Sequence, residues 1–301
     1  MMSICLLSNC WNERRMLPFF FRHYDPIVDH YVILDDGSTD GSVELLLSHP
    51  KVKLIQANRK GGSYIEQTRI FFNEAWKENR CNADWIIACN IDEHLYHRDL
   101  VGYLHQCKDE GVTILPANGF EMVAERFPST HATLCEAIKF GAPAHKFKGA
   151  TGQLNKIMVF DPSAIDEICF AAGRHTIQPR GRVVYPESID LKMLHYKFLG
   201  LTYAEQRYAE LKTGLAVADI KTGKGYQYFW DRKEIRQHYA RVICSASIVI
   251  TGGFIKDMQL NISFLPLRLI FVPEALFESL CRMTRTALSR MLKRARARLR
   301  S

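Results

Sequence analysis

Apolar residues gather along this chain in short unbroken runs, and most runs are followed by a polar turn and then by apolar residues at helical spacing. The runs are ICLLS (4–8), HYVILDD (30–36), VKLIQA (52–57), DWIIACNIDE (84–93) and VTILP (112–116), and each predicts a strand. Between them MLPFFFRHY (16–24), TDGSVELLL (39–47), SYIEQTRIFFNEAWKE (63–78) and DLVGYLHQCKDEG (99–111) predict helices. Pro18 stands near the start of the first, and Thr39 or Asp40 caps the second. Strand and helix alternating with short connections predict an α/β fold with a mostly parallel sheet. The strands are apolar throughout, as expected where helices cover both faces. After residue 117 the alternation stops: FEMVAERFP, QLNKIMVF and GRVVYP read as longer strands or edge hairpins, and 202–214 and 231–246 as helices.

Parallel sheets bind ligands beyond the carboxyl ends of their strands. Two acid pairs, Asp35-Asp36 and Asp92-Glu93, close apolar runs there. Neighbouring carboxylates repel, so a cation belongs beside them, and an oxygen donor set suits Mg²⁺ or Mn²⁺. Asp40 reads instead as a turn former or helix cap.

Three stretches carry a resemblance: SICLLSNCWNERRMLPFFFRHY, VILDDGSTDGSVELL and WIIACNIDEHLY, with LKMLHYKFLG (191–200) after them. In order and spacing they resemble glycosyltransferase family 2, of the Rossmann-like GT-A type, over about residues 3–230. The resemblance implies a catalytic domain over 1–230 and a helical extension over 231–301. It implies transfer of a sugar from a nucleotide-diphosphate sugar, a UDP-sugar, with inversion, to a glycan or lipid-linked acceptor. By position, Asn12 and Glu13 on the first loop, with Asp35 and Asp36, face the nucleotide. The acid motif is Asn90-Ile91-Asp92, with an uncharged amide where the pattern has a first aspartate. Asp92 and His195 are then the metal ligands, with His175 as the other candidate histidine. Inversion needs a base opposite the departing diphosphate. Glu125 is the first choice and Glu121 the second: both follow the fifth strand and share a face if extended, and Glu136 comes after them. Lys60 and Arg69 flank the KGGS turn, where they would meet donor phosphate. Two other readings remain. A sugar-1-phosphate nucleotidyltransferase would carry a glycine-rich basic loop after the first strand, and NCWNERR has no glycine. A non-catalytic nucleotide-sugar-binding protein is favoured by Asn90.

Composition adds limits. The 301 residues, 47% of them hydrophobic, suffice for a substantial core. The net charge of +8 suggests nucleic acid until it is located: residues 282–301 hold eight Arg and Lys and no acid, so the rest is near neutral and no nucleic-acid groove is expected. In that tail Leu288, Met291, Leu292, Ala295 and Leu299 fall on one helical side, a pattern suited to an anionic membrane surface. Nine cysteines without CxxC spacing suit the reduced thiols of a cytoplasmic protein, peripheral at the membrane. The opening residues lack a signal-peptide pattern. The apolar stretch 242–255 is too short to span a bilayer, and 265–273 is interrupted by two prolines and an arginine, so no transmembrane helix is expected.

Overall fold

The first apolar run becomes a central strand. The computed structural model describes residues 2–58, 62–129, 131–143, 155–221, 223 and 225–250. In chain order, β1 (Ile4–Cys10), α1 (Leu17–Tyr24), β2 (His30–Asp35), α2 (Ser42–Ser48), β3 (Val52–Gln56) and α3 (Tyr64–Glu74) come first. Then follow β4 (Trp85–Ala88), β5 (Glu93–Tyr96), α4 (Leu100–Asp109), β6 (Ile114–Ala124), α5 (Leu134–Ala137), β7 (Phe140–Pro143) and β8 (Lys156–Phe160). The last elements are β9 (Ile165–Glu167), β10 (Arg180–Gly181), β11 (Leu191–Leu199), α6 (Leu201–Gly214), α7 (Val217–Lys221), α8 (Arg232–Ser245) and β12 (Ser247–Ile248). Strand β1 lies between β2 and β4, with β3 outside β2, and all of these pairs are parallel. Strand β8 runs antiparallel between β4 and β6, and β6 takes β11 as a parallel partner. The fold is therefore α/β, a mixed sheet with a parallel core flanked by helices.

The continuous apolar runs are explained by two-sided burial. Ile4 and Leu6 of β1 pack with Leu17 and Phe20 of α1, Leu46 of α2 and Leu104 of α4. Cys5 and Leu7 pack on the opposite face with Phe71 and Phe72 of α3 and with Trp76. Each such side chain, fully buried, stabilises the fold by about 1.5–3 kcal/mol.

Several boundaries differ from the sequence pattern. The run DWIIACNIDE is not one strand: β4 stops at Ala88, a turn follows, and Glu93 opens β5, which pairs antiparallel with β11. The fifth strand does not stop at residue 116; β6 continues to Ala124 and takes in most of FEMVAERFP. Helix α2 is capped by Gly41, with φ 93°, and not by Thr39 or Asp40. Asp40 is a turn former: its carboxylate accepts from Ser42 N at 3.0 Å, Ser42 Oγ at 2.6 Å and Arg14 N at 2.9 Å. A compact unit runs to Ile250, and within it α8 buries Ile235, Tyr239, Val242 and Ile243. Tyr239 also donates to the carbonyl of Ala124 at 2.6 Å. Lys60, Gly61 and the segment 251–301 with its basic tail lie outside the described residues. Among the described residues no helix is long and apolar enough to cross a membrane.

Candidate active site

The parallel strands end at one cavity of about 430 Å³. Asn9 and Trp11 reach it from the end of β1, Asp36 from the end of β2, Tyr64 from the start of α3, and Asn90 and Asp92 from the turn after β4. The far wall comes from Glu121 of β6, His195 and Lys197 of β11, and Tyr203 and Arg207 of α6. The position obeys the rule for open parallel sheets.

Strand pairing assembles the charged centre. In register, His195 stands opposite Glu121 of β6 on one side and Glu93 of β5 on the other. Its Nδ1 lies 2.9 Å from Glu121 Oε1, and its Nε2 lies 3.2 Å from Asp92 Oδ2. Burial opposes a charged imidazole, but Glu121 and Asp92 outweigh it and raise the His195 pKa well above its ordinary value. Burial likewise opposes the Asp92 carboxylate, and His195, followed by Arg207 and Lys197, holds it below the usual carboxylate range. Glu121 Oε2 is buried and has no hydrogen-bond partner among the described residues.

Beneath this centre lies a buried ionic cluster. Glu93 takes Lys156 on Oε1 and Arg174 Nη2 on Oε2 at 2.6 Å. Asn90 completes the cluster: its backbone N–H and amide group donate to Glu93 at 3.1 and 3.2 Å, and its Oδ1 accepts from Arg174 at 3.0 Å. An amide both donates and accepts, which an ionised aspartate cannot do. The departure from the two-acid pattern therefore has a physical reason: a second carboxylate here would crowd Glu93 and forfeit its donors.

The sequence candidates separate cleanly. The cavity brings together Glu13, Asp36, Asn90, Asp92, Glu121 and His195. Asp35 does not join them; it is fully buried, and Oδ2 accepts from the N–H groups of Gly37 at 2.9 Å and Ser38 at 3.0 Å, folding the turn that presents Asp36. Asn12, with φ 52°, accepts from Thr39 N at 2.7 Å and donates its own N–H to Ser38 Oγ at 2.8 Å, so it pins that turn and lies outside the cavity lining. Arg69 points elsewhere and pairs with Glu66 at 2.5 Å. Glu125 is exposed and lies beyond the end of β6, outside the cavity lining. Glu136 closes a capping box with Thr133. His175 lines the cavity but is exposed and sets Nδ1 3.2 Å from the Asn155 carbonyl.

Five further residues shape the cavity unannounced by motif. Asn9 donates to the Tyr64 hydroxyl, and its Oδ1 is buried without a partner among the described residues. Arg207 pairs with Glu13 and donates to the carbonyls of Asn12 at 2.9 Å and Trp11 at 3.2 Å, tying α6 to the first loop. Lys156 and Arg174 come from distant segments. Lys197 alone left a readable trace, two residues after His195 and so on the same face of a strand.

The donor set fits a divalent cation. Asp92, Glu93 and His195 offer ligand atoms that all lie within 4.8 Å of one another. Glu93 is already neutralised by Lys156 and Arg174. Asp92 and His195 Nε2 would then be the donors, the cation taking the place of the Nε2 proton, with Glu121 on Nδ1 the carboxylate that would orient the imidazole.

No family model matches the chain, and no curated protein matches it. Among solved structures it is similar to S. aureus TarS, with 14% identity over 42% of this chain and a TM-score of 0.32. That match spans 23% of the TarS chain. TarS 1–349 in complex with UDP-GlcNAc is similar at 11% identity over 79% of this chain and 71% of that one, with a TM-score of 0.36. TarS 1–349 in complex with UDP is similar at 10% identity over 92% and 68%, with a TM-score of 0.32. Likenesses this distant say nothing of chemistry, which rests on the cavity itself.

Proposed function

We propose that the chain is a glycosyltransferase that moves a sugar, with inversion, from a UDP-sugar to a hydroxyl of a glycan or lipid-linked acceptor. The observation that carries this reading is the meeting of a nucleotide end and a reaction end in one cavity. Asn9, Asp36 and Tyr64 cluster at the ends of β1 and β2. A carboxylate and the unpartnered Asn9 oxygen suit the hydroxyls of a ribose and the N–H of a base. Asp92, His195 and Glu121 form the other end.

In this reading Glu121 keeps His195 oriented through Oε1 and takes the acceptor proton on Oε2. The acceptor oxygen then bonds to the anomeric carbon while the bond from that carbon to the diphosphate oxygen breaks. Asp92 and His195 would hold Mn²⁺ or Mg²⁺, which when bound offsets charge on the departing diphosphate. Trp11 and Tyr203 line the cavity and keep bulk water off the reacting carbon. A second reading, a nucleotide-sugar-binding protein without turnover, is favoured by Asn90, whose amide is spent on Glu93 and Arg174.

Titration calorimetry with UDP and a panel of nucleotide sugars, with and without Mn²⁺, tests the binding reading. Asp36→Ala should weaken UDP at least tenfold with thermal stability kept. Unchanged UDP affinity removes the nucleotide assignment, and binding without turnover moves the protein to the second reading.

A further inference from the structure

The cations that reach this cavity are unequally employed. Lys156 is paired with Glu93, and Arg207 with Glu13 and, at 3.4 Å, with Glu210. Lys197 makes no ion pair among the described residues, although it lines the same cavity. Its Nζ sits instead 4.6 Å from the ring centroid of Tyr208 on α6 and 5.1 Å from that of Tyr228. The two rings meet edge to face, 5.8 Å apart. Burial apart, Tyr208 and Tyr228 act on Lys197 most, Tyr208 also through a side-chain hydrogen bond, and Glu121 follows by its charge, with Oε1 held by His195 and Oε2 without a hydrogen-bond partner among the described residues. Tyrosine faces offset part of what an ammonium loses on leaving water, and a counter-charge is still wanted. The side chain is also placed in advance: Lys197 and His195 of β11 line the same cavity, on either side of the irregularity in the β11–β6 register between His195 and Phe198.

We propose that Lys197, framed by Tyr208 and Tyr228, binds a phosphate-type oxyanion of the substrate at a subsite adjoining Asp92 and His195. This rests on the nucleotide-sugar reading above. The oxyanion belongs either to the diphosphate of the donor or to an anionic group of the acceptor, and both present the same chemistry to an ammonium. A charge-assisted hydrogen bond of this kind changes affinity by about ten- to a hundredfold.

The experiment is calorimetry on the full chain with three probes: uridine, UDP, and inorganic phosphate added to UDP-saturated protein. Wild type is compared with Lys197→Met. Loss of UDP affinity by ten- to a hundredfold with uridine unchanged supports the subsite and assigns it to the donor. Unchanged UDP with loss of phosphate binding to the UDP-saturated protein supports it and assigns it to the acceptor. Equal binding of UDP and of phosphate by both proteins overturns it. Uridine binding reports that the cavity is intact; should Lys197→Met lose it, Lys197→Gln carries the same comparison. If wild type does not bind UDP, the nucleotide reading falls, and phosphate alone then decides Lys197, retained binding in the variant overturning it.

Discussion

Glu121 and Glu125 are four residues apart, and their surroundings could hardly differ more. Glu121 sits in the cavity wall with one oxygen on His195 and the other unpartnered among the described residues, whereas Glu125 is exposed. Glu121→Gln should lower kcat by about 10²–10⁴-fold, the usual range for a general base, with UDP affinity nearly unchanged. Glu125→Gln should leave kcat within about twofold of wild type, since it touches no reacting atom. Single-turnover kinetics measures both; equal losses, or none, would remove Glu121 as the base. The two-residue strand period placed both glutamates on one face, and that reading fails at Glu125 only because β6 ends at Ala124. The asparagines at the end of β1 and in the loop after it show a similar limit. Asn9 and Asn12 look alike in SNCWNE, and only the positive φ of Asn12 turns it onto the neighbouring turn.

At the scale of elements, the start of α3 joins distant parts of the chain. Ser63 is its N-cap and accepts from Glu66 N at 3.0 Å. Asp219 of α7, fully buried, accepts from Ser63 Oγ and from Tyr64 N at 2.9 Å. Asp219→Ala removes the acceptor of two donors at a half-buried helix start, and should cost about 1–3 kcal/mol. Urea denaturation should show a lower midpoint at an unchanged slope, and UDP should bind more weakly because Tyr64 lines the cavity. An unmoved midpoint would show that Ser63 alone caps the helix. Existence and type of α1 to α4 and β1 to β4 were legible, since each strand is its own apolar run and each helix carries helical spacing. The break between β4 and β5 was not, because no glycine or proline marks the turn from Asn90 to Asp92, and the partners that set it, Lys156, Arg174 and β11, all lie far along the chain.

For the molecule as a whole, acid stability should be governed in part by a histidine pair in the core. The rings of His23 and His94 stack at 4.6 Å with an interplanar angle of 20°, and His23 Nε2 lies 2.8 Å from the Leu95 carbonyl. Burial lowers the His23 pKa from 6.5 to about 4, despite the carbonyl, and burial with the neighbouring ring takes His94 down as well. Below about 6.5 the unfolded chain takes up protons that the folded chain refuses. Stability is therefore full above that pH and is lost as the pH falls towards 4, by about 3 kcal/mol for His23. Chemical denaturation from pH 7 to 4 should show this slope, and His23→Phe, which keeps a stacked ring without the titration, should flatten it. An equal slope in the variant would place the acid sensitivity elsewhere. None of this pairing was legible, since His23 lies in a helix and His94 in a strand 71 residues later, with no shared motif to connect them. The α/β class, by contrast, needed only the succession of runs.

Strand β6 holds Glu121 between neighbours on both edges: β8 and β7 on antiparallel pairings, and β11 in parallel along Ala117 to Ala124. Side chains on such a strand alternate, so an added or deleted residue between Ala117 and Glu121 would send the carboxylate to the opposite face and slip His195 out of register. Individual letters of this strand are open to exchange wherever volume is kept. Its length is not. Relatives of this chain should therefore vary in size through the exposed stretch between Tyr185 and Ser188 and scarcely at all along β6, a constraint of spacing that no single substitution would reveal.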